Sequence, residues 1–342
     1  MHVSYITENF QEWDAYVHAH EAGSLYHTSA WKKIIERHFK KETFYIAAGE
    51  QDKIVGVLPL VHFKSALFGN FIVSVPYVNY GGILADSREA MEALTAEAET
   101  IRERCGADFV ELRDIRPLET HLPVKTQKVT FFLDLPESPD DLMASFKAKL
   151  RSQIRRPVKE GITGEVGGME FLDDFYEVFC RNMRDLGTPV YSKHFFRTIL
   201  EETPENSHIA LVRSKEGKTI GAAFLHGYKQ RMEIPWASTL REYNRFSPNM
   251  LMYWEVLRFS IEKGYKQFDF GRCSRDSGTY RFKKQWGSVE QQLYWYYVLP
   301  SGGELPQINP DNPKYKLAIS MWQKMPLAFT RLLGPSIVKN LP

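Results

Sequence analysis

Residues 44–62 read FYIAAGEQDKIVGVLPLVH, and residues 208–226 read HIALVRSKEGKTIGAAFLH. Each is an apolar run, a polar turn containing glycine, and a second apolar run opening at Ile54-Val55-Gly56 or Thr219-Ile220-Gly221. Two apolar runs around a short polar turn predict a β-hairpin. An apolar-Pro-aromatic step follows in both places, Val75-Pro76-Tyr77 and Ile234-Pro235-Trp236. A helix is expected next. Met91, Leu94, Ala98 and Ile101 keep a helical stripe behind Ser87, and Leu251, Trp254, Leu257 and Ile261 keep one behind Ser247-Pro248. Gly106 and Gly264 suit left-handed C-caps. A strand then follows, FVELR at 109–113 and FDFGR at 268–272, with Arg113 and Arg272 in corresponding places.

The shared order of hairpin, further strand, helix and strand predicts a duplicated α/β (α+β) unit with mixed sheets. A helix that crosses between strands makes part of each sheet parallel. The expected domains are residues 1–140, residues 141–300 with the substrate cleft, and a linker with a basic amphipathic tail over 301–342. The tail from Lys314 to Pro342 carries five basic residues and no acidic one. Its Leu317, Met321, Trp322, Met325 and Leu332 could dock on the body or lie on a membrane surface. The aromatic run LYWYYVL at 293–299 reads as a buried last strand.

Composition bounds the function. With 342 residues, 43% hydrophobic and 25% charged, the chain is long and apolar enough for two cores, and neither disordered nor collagen-like. Lys plus Arg is 44 against 42 for Asp plus Glu, a net charge of +2, so any site for a polyanion must be a local cluster. Cys105, Cys180 and Cys273 stand far apart, which argues against a disulfide framework and fits reduced thiols in the cytoplasm. The polar N-terminus lacks the pattern of a signal peptide. No 18-residue apolar run is present, so no membrane span is expected. Zinc-ligand spacing, GxSxG, HExxH and Walker A patterns are missing, and no metal site is expected.

Two stretches could carry chemistry. SFKAKLRSQIRRPVKEG at 145–161 holds six basic residues before its first acid. On a helix, Lys147, Arg151 and Arg155 share one face at i, i+4 spacing, and Pro157 is expected to end or bend that helix. Like charges stacked this way suit a phosphate or diphosphate gripped by forked guanidinium groups, or else form a solvated face. FDFGRCSRDSGTYRFKKQWG at 268–287 reads as a strand, a polar loop and a short basic helix. Arg272, Tyr280, Lys283 and Lys284 lie there, with Phe282 and Trp286 packing inward. Sites in α/β folds gather at the carboxyl ends of strands. Asp269 is either a cleft carboxylate or a salt-bridge partner. Trp236, Tyr243 and Asn244 could line the same cleft.

At these residues the sequence resembles the FemAB-type transferases, whose chains carry two acetyltransferase-like (GNAT) domains in tandem. Arg151-Ser-Gln-Ile-Arg155-Arg156 with Lys159-Glu-Gly161 is similar to the basic helix opening their second domain. Phe268-Asp-Phe-Gly271, Gly278-Thr-Tyr-Arg-Phe282-Lys283-Lys284 and Trp286-Gly287 resemble their late strand and FK-containing motif. Met183-Arg-Asp-Leu-Gly187-Thr-Pro-Val-Tyr191 and Ile234-Pro-Trp236 resemble the branch found in exosortase/PEP-CTERM exopolysaccharide loci.

The resemblance implies transfer of an acyl or aminoacyl group onto an amine of a cell-wall or exopolysaccharide precursor. Arg151 and Arg155 would grip a diphosphate on a small or lipid-linked substrate. Lys283 would lie near the acceptor or the transferring carbonyl, and Asp269 would accept or orient the amine proton. No tightly bound cofactor is implied. The chain shows neither the coiled-coil arm with which some members hold tRNA nor the R/QxxGxG/A loop of acyl-CoA enzymes. Pro157 also replaces a small helix-former. The donor is therefore an aminoacyl-tRNA or an acyl thioester, carried by coenzyme A or an acyl-carrier protein. From another class, the chain could be a non-catalytic scaffold in an export system. The expected location is the cytoplasm, with peripheral contact at the inner membrane if the tail serves that end.

Overall fold

The computed structural model describes residues 1–51, 53–66, 68–306 and 313–341. Residues 307–312 of the expected linker lie outside the described residues. The chain forms two compact units. One is Met1–Val129, to which the strand Tyr294–Val298 returns. The other is Thr130–Glu290, joined by the helices Pro313–Lys324 and Leu327–Val338.

The hairpins fold as their patterning requires. In the first unit Thr43–Glu50 pairs antiparallel with Lys53–Ser65, and in the second Ser207–Arg213 pairs with Thr219–Tyr228. Gly56 and Gly221 each face a crowded neighbour. A Cβ on Gly56 would meet the Leu94 side chain at 3.1 Å, and one on Gly221 the Thr239 methyl at 3.3 Å.

Each unit then adds a parallel pair. Ile72 and Val73 of the strand Gly69–Val73 align with Val110 and Glu111 of Val110–Asp114. Arg231, Met232 and Glu233 of Arg231–Thr239 align with Gln267, Phe268 and Asp269 of Gln267–Asp269. The crossing helix of the first unit is Arg88–Cys105, capped by the Ser87 side chain on the Ala90 N–H and ended by left-handed Gly106. Met91, Leu94, Ala98 and Ile101 pack into a core with Ile46, Leu58, Ile72 and Leu112.

The crossing helix of the second unit is Pro248–Glu262. Pro248 holds the expected first position, but the Ser247 side chain does not cap it. Ser247 is left-handed (φ 57°) because it closes the 3-10 turn Arg241–Phe246, donating its N–H to the Asn244 carbonyl at 3.0 Å. Pro157 also departs from expectation, since the helix Ala148–Lys159 continues through it. Its ring is buried near the helix end, and its carbonyl accepts the N–H groups of Glu160 and Ile162, both at 3.0 Å. The absent N–H thus costs one bond in the last turn, too little to stop the helix.

The aromatic run is a strand, but in the first sheet. Tyr294–Val298 pairs antiparallel with Val110–Asp114 and with Val124–Lys125. Lys128–Asp134 pairs antiparallel with the short strand in the second sheet, Phe132 and Leu133 opposite Asp269 and Phe268.

Candidate functional site

In the second unit the parallel pair is short. Pairing with Gln267–Asp269 ends at Glu233, while Trp236, Ala237, Ser238 and Thr239 stay bonded to the hairpin strand on the other side. After Asp269 the chain turns at Gly271, whose φ of 74° is left-handed. The two strands therefore part at the carboxyl end of the shorter one, where α/β sheets place their ligands.

The parting is pinned by a buried charged set. Asp269 is fully buried; one carboxylate oxygen accepts the Thr130 hydroxyl and the Gly271 N–H, the latter at 2.8 Å. Lys283 is buried on the short helix Gly278–Lys284 and donates to the carbonyls of Gly271 and Arg272, the second at 3.1 Å. Burial pushes the Lys283 pKa below the usual lysine value, while the charges of Cys273, Asp269 and Glu233 pull the other way. Ser277 caps the helix by accepting the Tyr280 N–H at 3.1 Å and donates its hydroxyl to the Ser274 carbonyl at 2.7 Å. Phe282 and Trp286 pack inward as their spacing suggests, 6.1 Å between ring centroids, and Trp286 also meets Phe146 at 5.5 Å.

The structure thus gathers Asp269, Lys283 and Arg272 on one turn, with Arg272 and Lys284 exposed. Tyr280 is committed sideways, its hydroxyl 2.5 Å from a Glu290 oxygen. On the basic helix, Arg155 is exposed. Arg151 instead folds back onto the end of the preceding helix, donating to the Phe146 carbonyl at 2.8 Å and the Ala144 carbonyl at 3.2 Å. Trp236 belongs to an aromatic cluster, edge-on to Phe195, Phe196 and Phe224. Tyr243 carries the Lys218 ammonium 5.0 Å from its ring, and Asn244 is exposed on the same turn.

Two features escape sequence reasoning. Glu233 is buried opposite Asp269, though only its register partner reveals it. The first unit holds a cavity of about 480 Å³ at the carboxyl end of Val110–Asp114, lined by Asp114, Arg116, Arg88, His20 and Tyr80. That volume suits a small molecule. One Asp114 oxygen accepts the Ile83 N–H at 3.0 Å; the other is buried without a partner among the described residues. Burial pushes the Asp114 pKa up to about 8. Arg113, the sequence counterpart of Arg272, is buried and structural. It donates to Glu111 at 2.7 Å and to the Val78 carbonyl at 3.2 Å, and lies 4.6 Å from the Trp295 ring.

Residues 144–284 match the acetyltransferase (GNAT) domain family. The chain is similar to lipid II:glycine glycyltransferases of Staphylococcus haemolyticus, at 21% identity, and Staphylococcus saprophyticus, at 23%, in each case over 91% of this chain and 97% of the relative. The first alignment runs over 412 positions against 342 residues here, so the relative carries segments that this chain lacks. Among solved structures, FemX superposes with a TM-score of 0.66 at 18% identity, covering 93% of this chain and all of that one. A tandem GNAT protein from the clavulanic acid biosynthesis pathway superposes at 0.57 and 11% identity, covering 90% of this chain and all of that one. These likenesses agree with the two mixed sheets in being tandem GNAT-like folds.

Proposed function

We propose that this chain is a FemAB-like acyltransferase of the GNAT fold that joins an amino acid, activated as its tRNA ester, to an amine of a cell-wall or exopolysaccharide precursor. Its glycyltransferase relatives and its lack of the acyl-CoA pyrophosphate loop support an ester donor. The resemblance to the exosortase/PEP-CTERM branch supports an acceptor in exopolysaccharide assembly.

The observation that carries the reading is Lys283, a buried ammonium held at the parting strands by the carbonyls of Gly271 and Arg272. An ammonium has three donors. Two are spent on the turn, and the third meets the carbonyl oxygen of the transferred group. The neutral acceptor amine attacks the ester carbon, a C–N bond forms, and Lys283 stabilises the oxyanion. Collapse breaks the C–O bond, and the amine proton passes to the leaving ribose oxygen. Asp269 is a positioning residue, because its carboxylate is spent on Thr130 and Gly271. Arg272 and Arg155, both exposed, bind the phosphate groups of donor and acceptor.

The test is binding of charged tRNA to the purified chain at low and moderate salt, with an acyl-CoA competitor. Saturable binding that prefers charged over uncharged tRNA and resists the competitor is expected. Binding that follows salt alone, or that yields to acyl-CoA, overturns the ester donor and moves the reaction to thioesters.

A further inference from the structure

The helices Pro313–Lys324 and Leu327–Val338 meet the second unit with one side only. Thr330, Gly334 and Val338, spaced four apart, face the protein. Gly334 lies so near the chain that a Cβ would stand 2.8 Å from the Val190 nitrogen. Arg331 bonds Glu177, the Gln323 amide donates to the Asp185 carbonyl at 3.2 Å, and Trp322 is buried. The opposite side is also apolar. Leu332 is 73% exposed, Leu317 63%, Phe329 57% and Met321 57%, with Leu333 beside them.

A helix that is apolar all round normally has both sides covered. An exposed apolar surface of this kind marks an interaction site. The charge around it says which kind. From Pro313 onward the chain has five basic residues and no acidic one, although the whole chain is only +2. Exposed apolar side chains in a segment whose charged residues are all basic complement an anionic lipid surface, and the segment offers no acidic counterpart for a second copy of the same face.

We propose that these two helices form a docking surface for an anionic membrane. They lie in the headgroup region with Phe329, Leu332 and Leu333 inserted shallowly. No helix among the described residues is long and apolar enough to span a bilayer, so the contact is peripheral. The attachment needs no catalysis and therefore stands or falls apart from the proposed reaction.

The experiment is co-sedimentation of the full chain with vesicles of phosphatidylcholine alone and with about one third phosphatidylglycerol. Binding to the anionic vesicles at low salt is expected, at least roughly tenfold weaker on neutral ones, and reduced at about 0.5 M salt. The double variant Phe329→Glu, Leu332→Glu changes only exposed side chains. It should keep the wild-type melting temperature and lose about tenfold or more in vesicle binding. Lys283→Ala should bind vesicles as the wild type does. No binding to anionic vesicles, or full binding by a folded double variant, overturns the proposal. So does a wild-type dimer in sedimentation that the double variant dissolves, because the face would then be covered by a second copy.

Discussion

Glu233 and Asp269 are register partners across the parallel pair of the second unit, and both carboxyl groups are buried with the Lys283 ammonium. Both acids lie near enough to act electrostatically on the Lys283 ammonium, which holds the turn at Gly271.

Lys283→Ala should therefore fail twice. Turnover falls by at least about a hundredfold if the ammonium stabilises the oxyanion. Stability falls on the order of 3 kcal/mol, because a buried ammonium that holds the Gly271 turn beside two buried acidic side chains is lost. Adding Glu233→Gln should restore part of the melting temperature and none of the activity. Wild-type turnover in the single variant would remove Lys283 from the chemistry.

The two arginines of the basic helix should separate. Arg155 is exposed, so Arg155→Gln should raise KM for an anionic substrate by about tenfold, blunt its salt dependence and leave the melting temperature alone. Arg151 ties two helices together through the Phe146 and Ala144 carbonyls. Arg151→Gln should cost about 1–2 kcal/mol in denaturant unfolding, with little change in KM. Identical behaviour of the two variants would contradict these assignments.

Asp114 makes a pH signature. Burial raises its folded pKa from 3.8 to about 8, so the stability of the protonated form is fully present below pH 3.8 and is lost as pH rises through 8. The loss is at most about 1.4 kcal/mol per pH unit between those values. Asp114→Asn does not titrate. Its melting temperature should gain on the wild type from pH 5 towards pH 8 and run parallel above that. Parallel curves throughout would show that the carboxyl is ionised inside the fold.

Gly271→Ala tests the turn. A side chain at φ 74° costs on the order of 1 kcal/mol, and the displaced carbonyl would loosen Lys283. A lower kcat is expected with KM nearly constant. An alanine variant with unchanged kcat would show that the turn's geometry is not used.

Local patterning made much of this fold legible. The hairpins at 44–62 and 208–226, the stripe behind Ser87 and the pairing of Phe282 with Trp286 all follow from periods of two and 3.6 residues. What stayed hidden depends on partners distant in sequence. LYWYYVL reads as a buried strand, but nothing within it says that Leu112 lies opposite Tyr296. Asp114 sits beside Arg113 in a strand and looks like half of an ordinary charged pair until the buried oxygen and the cavity are seen. Arg151 and Arg155 share a residue type and a helix. Only the neighbouring carbonyls, which a heptad cannot encode, set them apart.

The returning strand sets the order in which the molecule can be made. Val110–Asp114 has one neighbour in Gly69–Val73 and its other in Tyr294–Val298. During synthesis the first sheet must wait with a bare edge until nearly the whole chain has emerged. Pairings so distant in sequence form slowly, and an unpaired strand edge invites the wrong partner meanwhile. A ribosome-bound fragment ending before Tyr294 should therefore be aggregation-prone and dependent on chaperones, and residues 1–129 could not be inherited alone with their sheet complete.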